Sequence, residues 1–478
     1  MALVLGVDSS TQSTKVEARD LDSGELVASG SSSHAPVQPP VSEQDPAAWW
    51  RALVDAVSQV GDARRDVVAM SVAGQQHGLV LLDADGSPVR PAKLWNDTTS
   101  AAAADRLVKT LGSKEWANAC GSVPVAAFTV AKLAWMQEHE PESLARTTRV
   151  MLPHDYLTWR LTGQHVTDRG DASGSGWFNP STGSYQVDLL AAATDAIDLS
   201  ALPRVLGPTE AAGHVTQAAA AELGLSLEVI IGPGTGDNMA AALGTGLRPG
   251  DSVVSLGTSG TAYAVSATPT ADPTGAVAGF ADANGGFLPL VCTLNATRVT
   301  DTFTALMGAD RDAFADLALA VDPRVAGPTL LPFLDGERTP NLPDARGALL
   351  GIETGMSREA VALAAHDGVL CGLLEGLDAL SMCGVPLDGR RFLVGGGARS
   401  AAYRQRYADL LQSEVTVPDA DETVATGAAV QAGAVSASCP ISDVSAAWGC
   451  GAGTTIEPRS GFDSDVRQRY AEARRSVL

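Results

Sequence analysis

The chain has 478 residues, with 33 Lys+Arg against 55 Asp+Glu, giving a formal charge of −22 and a pI near 4.6. An apolar fraction of 45 % excludes disorder as the main state, because so apolar a chain buries enough surface to offset its ordering entropy. The acidity argues against a nucleic-acid partner, which needs clustered Lys and Arg. Any phosphate handled here must therefore meet backbone N–H groups and a metal.

At about 150 residues per domain the length predicts about three domains, and two large ones fit equally well. The six cysteines are scattered, with no Cys-x-x-Cys pair and no Cys/His quartet for zinc, which points to a reducing compartment. Asp8 follows a few apolar residues with no basic leader, so no signal peptide is expected. No run of 18 uncharged apolar residues suggests a membrane span. The expectation is a cytoplasmic protein with neither membrane nor nucleic acid as partner; the oligomeric state stays open, a homodimer being one option.

Helical and strand signals alternate along the chain, which predicts an α/β fold of several layers. Leu3 to Val7 reads as a strand, Ser9 to Thr14 as a hydroxyl-rich turn, and Lys15 to Arg19 as the returning strand. Asp45 and Pro46 form an N-cap and first helical position for a helix burying Trp49, Trp50, Leu53, Val54 and Val57. Val67 to Ala73 is a strand interrupted by Gly74-Gln75-Gln76-His77-Gly78 before Leu79 to Leu82. Ala101 to Ala104 and Ala218 to Ala221 read as helix surface.

Further on, Ser252 to Leu256, a Gly257-Thr258-Ser259-Gly260-Thr261 turn and Ala262 to Val265 repeat the strand–turn–strand plan of the N-terminus. This suggests two related domains, with a breaker-rich junction at Gly244 to Gly250. The bland alternative is that two such hairpins coincide by chance.

Three loops suit phosphates: Asp8 to Thr14, Gly257 to Thr261, and Gly395-Gly396-Gly397-Ala398-Arg399-Ser400. Small residues there let backbone amides approach an anion. None is a Walker loop, since the chain has no Gly-Lys pair, and none matches the dinucleotide fingerprint. Asp8, at the end of a buried strand, is either a turn residue or an acid that supports magnesium beside a polyphosphate. Asp237 follows the strand Val229-Ile230-Ile231 and the loop Gly232 to Gly236, ahead of a helix from Met239. It either caps that helix or serves as a base for an incoming hydroxyl, the glycines leaving its approach clear. Gln76 and His77 are either structural or donors and acceptors for a polyol.

In order along the chain, Gly6 to Thr11, Gly74 to Gly78, Leu94-Trp95-Asn96-Asp97, Phe128 to Trp135 and Pro153-His154-Asp155-Tyr156-Leu157 form a series of motifs. Asp171 to Gly174, Gly236-Asp237-Asn238, Gly257 to Ser259, Gly336 to Pro340 and Gly395 to Ala398 continue it. Together they resemble the FGGY carbohydrate kinases over nearly the whole length. The resemblance implies the actin-like ATPase fold, two ribonuclease-H-like domains with a ligand cleft between them. It places an N-terminal, sugar-binding domain at 1–245 and a C-terminal, nucleotide-binding domain at 246–478, the last helix packing back on the first.

The resemblance further implies ATP and Mg2+ as cofactors. Asp237 becomes the general base, Asp8 the acid that supports metal and phosphate, and Gln76, His77, Asp237 and Asn238 the sugar contacts. Thr11, Gly257 and Thr258 face the phosphates, and Gly396, Gly397 and Ser400 the adenosine. The Gly-Gln-x-His-Gly loop with Trp-Asn-Asp points to a xylulose-type ketose such as D-xylulose. A kinase for another ketose or polyol such as ribulose, or a non-catalytic ATP clamp of the actin or chaperone kind, are the alternatives. Against the family pattern, Gln76 stands where many members carry Met, Ala127 where Gly is usual, and His366-Asp367 where an apolar–acid pair is usual.

Overall fold

In the computed structural model, which describes residues 1–420 and 422–477, the first hairpin forms as read. Strands β1 (Leu3–Ser9) and β2 (Ser13–Asp20) pair antiparallel, with Val7 opposite Val16 and Asp8 opposite Lys15. Strand β3 (Leu26–Ser33) follows as an edge strand, its exposure alternating as an edge with one wet face requires. Helix α1 (Pro46–Gln59) starts where Asp45 accepts the Ala47 N–H, and Val54 is its one predicted core residue left only partly buried.

Strand β4 (Val67–Gly74) lies parallel to β1, so Asp8 and Ala73 stand side by side at the same sheet end. Helices α2 (Pro153–Thr162) and α3 (Arg169–Ala172) come next, then β5 (Ile230–Ile231), parallel to β4, and α4 (Asp237–Gly244). The glycine-rich loop expected over 232–236 is partly strand: Thr235 and Gly236 pair with Ala73 and Gly74 of β4. Helix α4 accordingly begins at Asp237, two residues earlier than expected.

The chain forms two compact units, the first built from Met1–Leu247, Ala267–Leu288 and Glu422–Gly451. Five strands of its seven-stranded sheet run β5-β4-β1-β2-β3. Because strand side chains alternate, Leu3, Leu5 and Val7 join the core under Trp49, Leu53 and Val57 of α1. Val4 faces the opposite way, onto Ala69, Ala429 and Ala432.

The second unit comprises Arg248–Ser266, Pro289–Asp421 and Ala452–Leu478. Strands β6 (Ser252–Leu256) and β7 (Gly260–Ala264) make the second expected hairpin, and β8 (Phe287–Thr293) adds antiparallel to β7. Helix α5 (Arg358–Met382) separates these from β9 (Arg391–Val394), which is parallel to β6. Helix α6 (Ala401–Leu411) and strand β10 (Val415–Pro418), parallel to β9, complete the order β8-β7-β6-β9-β10. Read from β8 to β10, these five of the sheet's seven strands repeat the β3-β2-β1-β4-β5 order of the first unit, so the matching hairpins belong to one topology used twice.

Helix α5 is long and apolar enough to cross a membrane, although Asp367, Glu375 and Asp378 keep it from being an uncharged run of 18. Most of it is buried inside the second unit, the usual state of a core helix. Its Asp367 takes a two-pronged ion pair from Arg406 of α6 at 2.7 and 2.9 Å. Its His366 stacks on Phe314 and meets Tyr403 edge-on.

Helix α7 (Thr423–Ala437) lies in the first unit against β1, β4 and α4. Small residues make this possible, since a Cβ on Gly427 would fall 1.8 Å from the Ala240 carbonyl oxygen. The last helix, α8 (Val466–Val477), does not return to the first domain as expected. It packs on α5 inside the second unit, with Arg474 3.1 Å from Glu375. The return is made by 422–451.

Candidate active site

In the first unit, the parallel pair β1 and β4 ends in two loops at the carboxyl end of the central strands, the usual position for a ligand site in such sheets. Asp8 closes β1 and is buried, with the Ser10 hydroxyl donating to its Oδ1. Burial pushes its carboxyl up to about 6, against the pull of Ser10 and Lys15. Thr11 is not a loose hydroxyl. It donates to Gln75 Oε1 at 3.1 Å and accepts from Trp95 Nε1 at 2.9 Å. Any phosphate contact at Thr11 would have to come from its backbone or from a rearranged side chain.

Beyond β4, Gln76 and His77 are both buried. His77 has a φ of +65°, a region that non-glycine residues rarely occupy. Its ring stacks on Phe128 with centroids 5.0 Å apart, tilts against Phe280 at 5.4 Å, and has Nδ1 2.9 Å from the Gly174 carbonyl oxygen. The strain is held in place by packing on three sides.

Asp237 is the first residue of α4, with Gly236 at the cap position, so it does not cap the helix across a turn. Its Oδ1 accepts the Asn238 backbone N–H at 2.8 Å and an Asn238 amide hydrogen at 2.9 Å. The same amide nitrogen donates to Gln76 Oε1 at 2.9 Å. Asn238 therefore links the two loops, leaving the buried Gln76 Nε2 without a partner. Asp237 is partly exposed although densely surrounded by protein. Burial first, and the negative charge of Asp8 second, push its carboxyl up to about 7. A carboxylate poised there can accept a hydroxyl proton near neutral pH.

In the second unit, the parallel strands β6 and β9 likewise end together. Gly257 and Thr258 follow β6; their carbonyl oxygens accept the N–H groups of Thr297 and Ala296 at 3.0 and 3.3 Å. After β9, Gly396 is exposed with open space where a Cβ would stand, while Gly397 packs on Leu256 and Thr297. Ser400 caps α6 by accepting the Tyr403 N–H at 3.5 Å. The structure thus brings Asp8, Gln76, His77, Asp237 and Asn238 together in one unit and the two glycine loops together in the other.

Several neighbours of the site were given no individual contact by the sequence. Trp95, Phe128, Gly174 and Phe280 enter only because tertiary packing aims them at Thr11 and His77. A second set, His154, Asp155, Asp168 and Asp171, forms a buried charged cluster. Among the described residues no group of three or more His, Cys, Asp or Glu side chains is arranged to hold a metal ion.

Two family models cover most of the sequence. That of the FGGY family of carbohydrate kinases, N-terminal domain, matches residues 3–244, and the C-terminal domain model matches 252–436. The chain is 49 % identical over 456 residues to a xylulose kinase of Streptomyces coelicolor, spanning 95 % of this chain and 92 % of that one. A xylulose kinase of Haemophilus influenzae is 34 % identical over 444 residues, 90 % of each chain. Among solved structures, a xylulose kinase from Bifidobacterium adolescentis superposes with a TM-score of 0.86 at 38 % identity, covering 99 % of both chains. The chain belongs to the FGGY family of carbohydrate kinases. It is a phosphotransferase with ATP as donor, built on the two-domain, actin-like α/β fold of that family.

Proposed function

We propose that this kinase transfers the γ-phosphoryl group of ATP to the 5-hydroxyl of D-xylulose, giving D-xylulose 5-phosphate and ADP, as a xylulokinase of pentose catabolism. The observation that carries the reading is the Gln76–Asn238–Asp237 chain. It sets a base of raised pKa beside a buried amide that has a donor to spare. A polyol hydroxyl is the partner that such a donor fits. The names of the relatives at 49 and 34 % identity support D-xylulose as that polyol.

In this reading Gln76, His77 and Asn238 hold the ketose while Asp237 accepts the O5 proton. The O5–Pγ bond forms, the bond from Pγ to the bridging oxygen breaks, and ADP leaves with that electron pair. Backbone at Thr11, Gly257 and Thr258 meets the phosphates. Gly396, Gly397 and Ser400 border the adenosine. A buried carboxylate at the end of a strand, its charge felt at Asp237, suits a magnesium ion held mainly by phosphate oxygens and water. Asp8 is the residue that would support it, and its chemistry there would be to neutralise phosphate charge. Six free cysteines fit work in the reducing cytoplasm.

The test is product identification by 31P and 13C NMR after incubation with magnesium, ATP and a panel of ketoses and polyols. D-xylulose 5-phosphate is expected at the highest kcat/KM. A higher kcat/KM for ribulose would overturn the substrate assignment.

A further inference from the structure

The buried cluster behind Asp237 has only one basic side chain. His154 Nε2 lies 3.2 Å from Asp155 Oδ1, 3.3 Å from Asp168 Oδ1 and 3.5 Å from Asp171 Oδ2, and all four side chains are at most 4 % exposed. Asp155 Oδ1, both Asp171 oxygens and both ring nitrogens of His154 have no hydrogen-bond partner, so the ring meets the carboxyls through ion-pair contacts; burial pushes Asp155 up to about 6 and Asp171 well above the usual carboxylate range, and His154 opposes both shifts. Burial would strip the imidazole of its proton, but the carboxylates outweigh it and hold the ring up at about 9.

The cluster reaches the site through short links. Asp168 Oδ2 accepts the Thr235 hydroxyl at 2.8 Å, and Thr235 stands two residues before Asp237. The other carboxylate oxygen of Asp168 accepts the Asp171 N–H at 3.0 Å and so fixes α3, which leads to the Gly174 carbonyl beside His77. His154 also fills the space between two backbones. A Cβ on Gly234 would fall 2.5 Å from its Nδ1, and one on Gly74 would fall 3.1 Å from its Cβ. The loops that carry Asp237, Gln76 and His77 thus share one charged support.

We propose that His154 is a positioning residue for phosphoryl transfer, a buried cation that clamps Asp155, Asp168 and Asp171 and thereby fixes the Thr235–Asp237 segment against β4. The proposal rests on the reading of Asp237 as the base. Without the cation Asp155 and Asp168 lose their counter-charge, and the segment that Asp168 holds through Thr235 shifts. A displacement of about 1 Å in a catalytic group costs on the order of 10²-fold in rate.

The test compares His154→Gln, His154→Lys and Thr235→Val in the full chain, with D-xylulose and ATP as substrates. His154→Gln should lower kcat by about 10²-fold while the KM for D-xylulose stays within a few-fold. His154→Lys, which restores a cation, should recover most of that loss. Thr235→Val, which cuts the link but keeps the charges, should lower kcat about tenfold and decides the matter if His154→Gln fails to fold. Unchanged kcat in Thr235→Val, a Lys variant no better than Gln, or a 15N NMR signature of neutral His154 at pH 7 would each overturn the proposal. Wild-type protein inactive on every ketose would instead overturn the functional reading, and the NMR signature would still report the charge of His154.

Discussion

Gly174 is packed so closely on His77 that a Cβ at this position would lie 2.5 Å from both Nδ1 and Cε1 of the imidazole. The ring is already held by Phe128, Phe280 and a strained backbone, so a methyl group at 174 displaces it from its present place. Gly174→Ala should therefore raise the KM for D-xylulose about tenfold, the worth of about one misplaced hydrogen bond, with kcat changed much less. His77→Ala should do the same. Steady-state kinetics with each substrate varied in turn checks this, and a change confined to the KM for ATP would refute the placement.

Asp237→Asn keeps the size of the side chain and the helix start but removes the proton acceptor. A fall in kcat of about 10²–10⁴-fold is expected, with D-xylulose binding by calorimetry retained. Near-normal kcat would remove Asp237 from the role of base.

The raised carboxyl of Asp237 makes two predictions with pH. Only the carboxylate accepts a proton, so kcat/KM for D-xylulose should be flat above about 7 and fall as pH drops below it. A limb near 4 would show that Asp237 is not desolvated in the working enzyme. The stability effect has the opposite sense. Because the folded protein holds this proton more tightly than the unfolded chain, the charged carboxylate opposes folding once pH exceeds the unfolded value of 3.8, and fully so above about 7. Asp237→Asn should therefore raise Tm at pH 8 and lose that advantage near pH 4.

The crossing of α4 and α7 predicts a different failure. Gly427→Ala would drive a methyl into the Ala240 carbonyl oxygen. Overpacking of this kind costs about 1–3 kcal/mol, and each kcal/mol lowers Tm by about 2–4 °C at this domain size. A thermal melt reads the change directly. An unchanged Tm would mean that the two helices separate freely.

What could be read ahead of the structure was local. The two hairpins, the Asp45 cap and the buried face of α1 rest on periods and turn chemistry within a few residues, and all of them formed. The two-residue strand at Thr235–Gly236 was invisible because its partner, β4, lies about 160 positions earlier and no pattern fits in two residues. The contact that holds the Thr11 hydroxyl was invisible because its donor, Trp95, is 84 positions away. Pro153-His154-Asp155 was quoted only as part of a motif, its charge partners entering from Asp168 and Asp171 by tertiary packing. Helix α5 holds no uncharged run of 18 because Asp367, Glu375 and Asp378 punctuate it, and Asp367 finds its partner, Arg406, only in the folded unit.

Helix α7 also governs how the protein can be made. The central sheet of the first unit is covered on one face by residues 422–451, which emerge from the ribosome only after nearly the whole second unit. Sequence-distant pairings of this kind are slow to form and leave apolar surface open while they wait. The first 247 residues expressed alone would lack that cover, so a gene split between the two family domains should yield an N-terminal fragment that needs the C-terminal one to stay in solution.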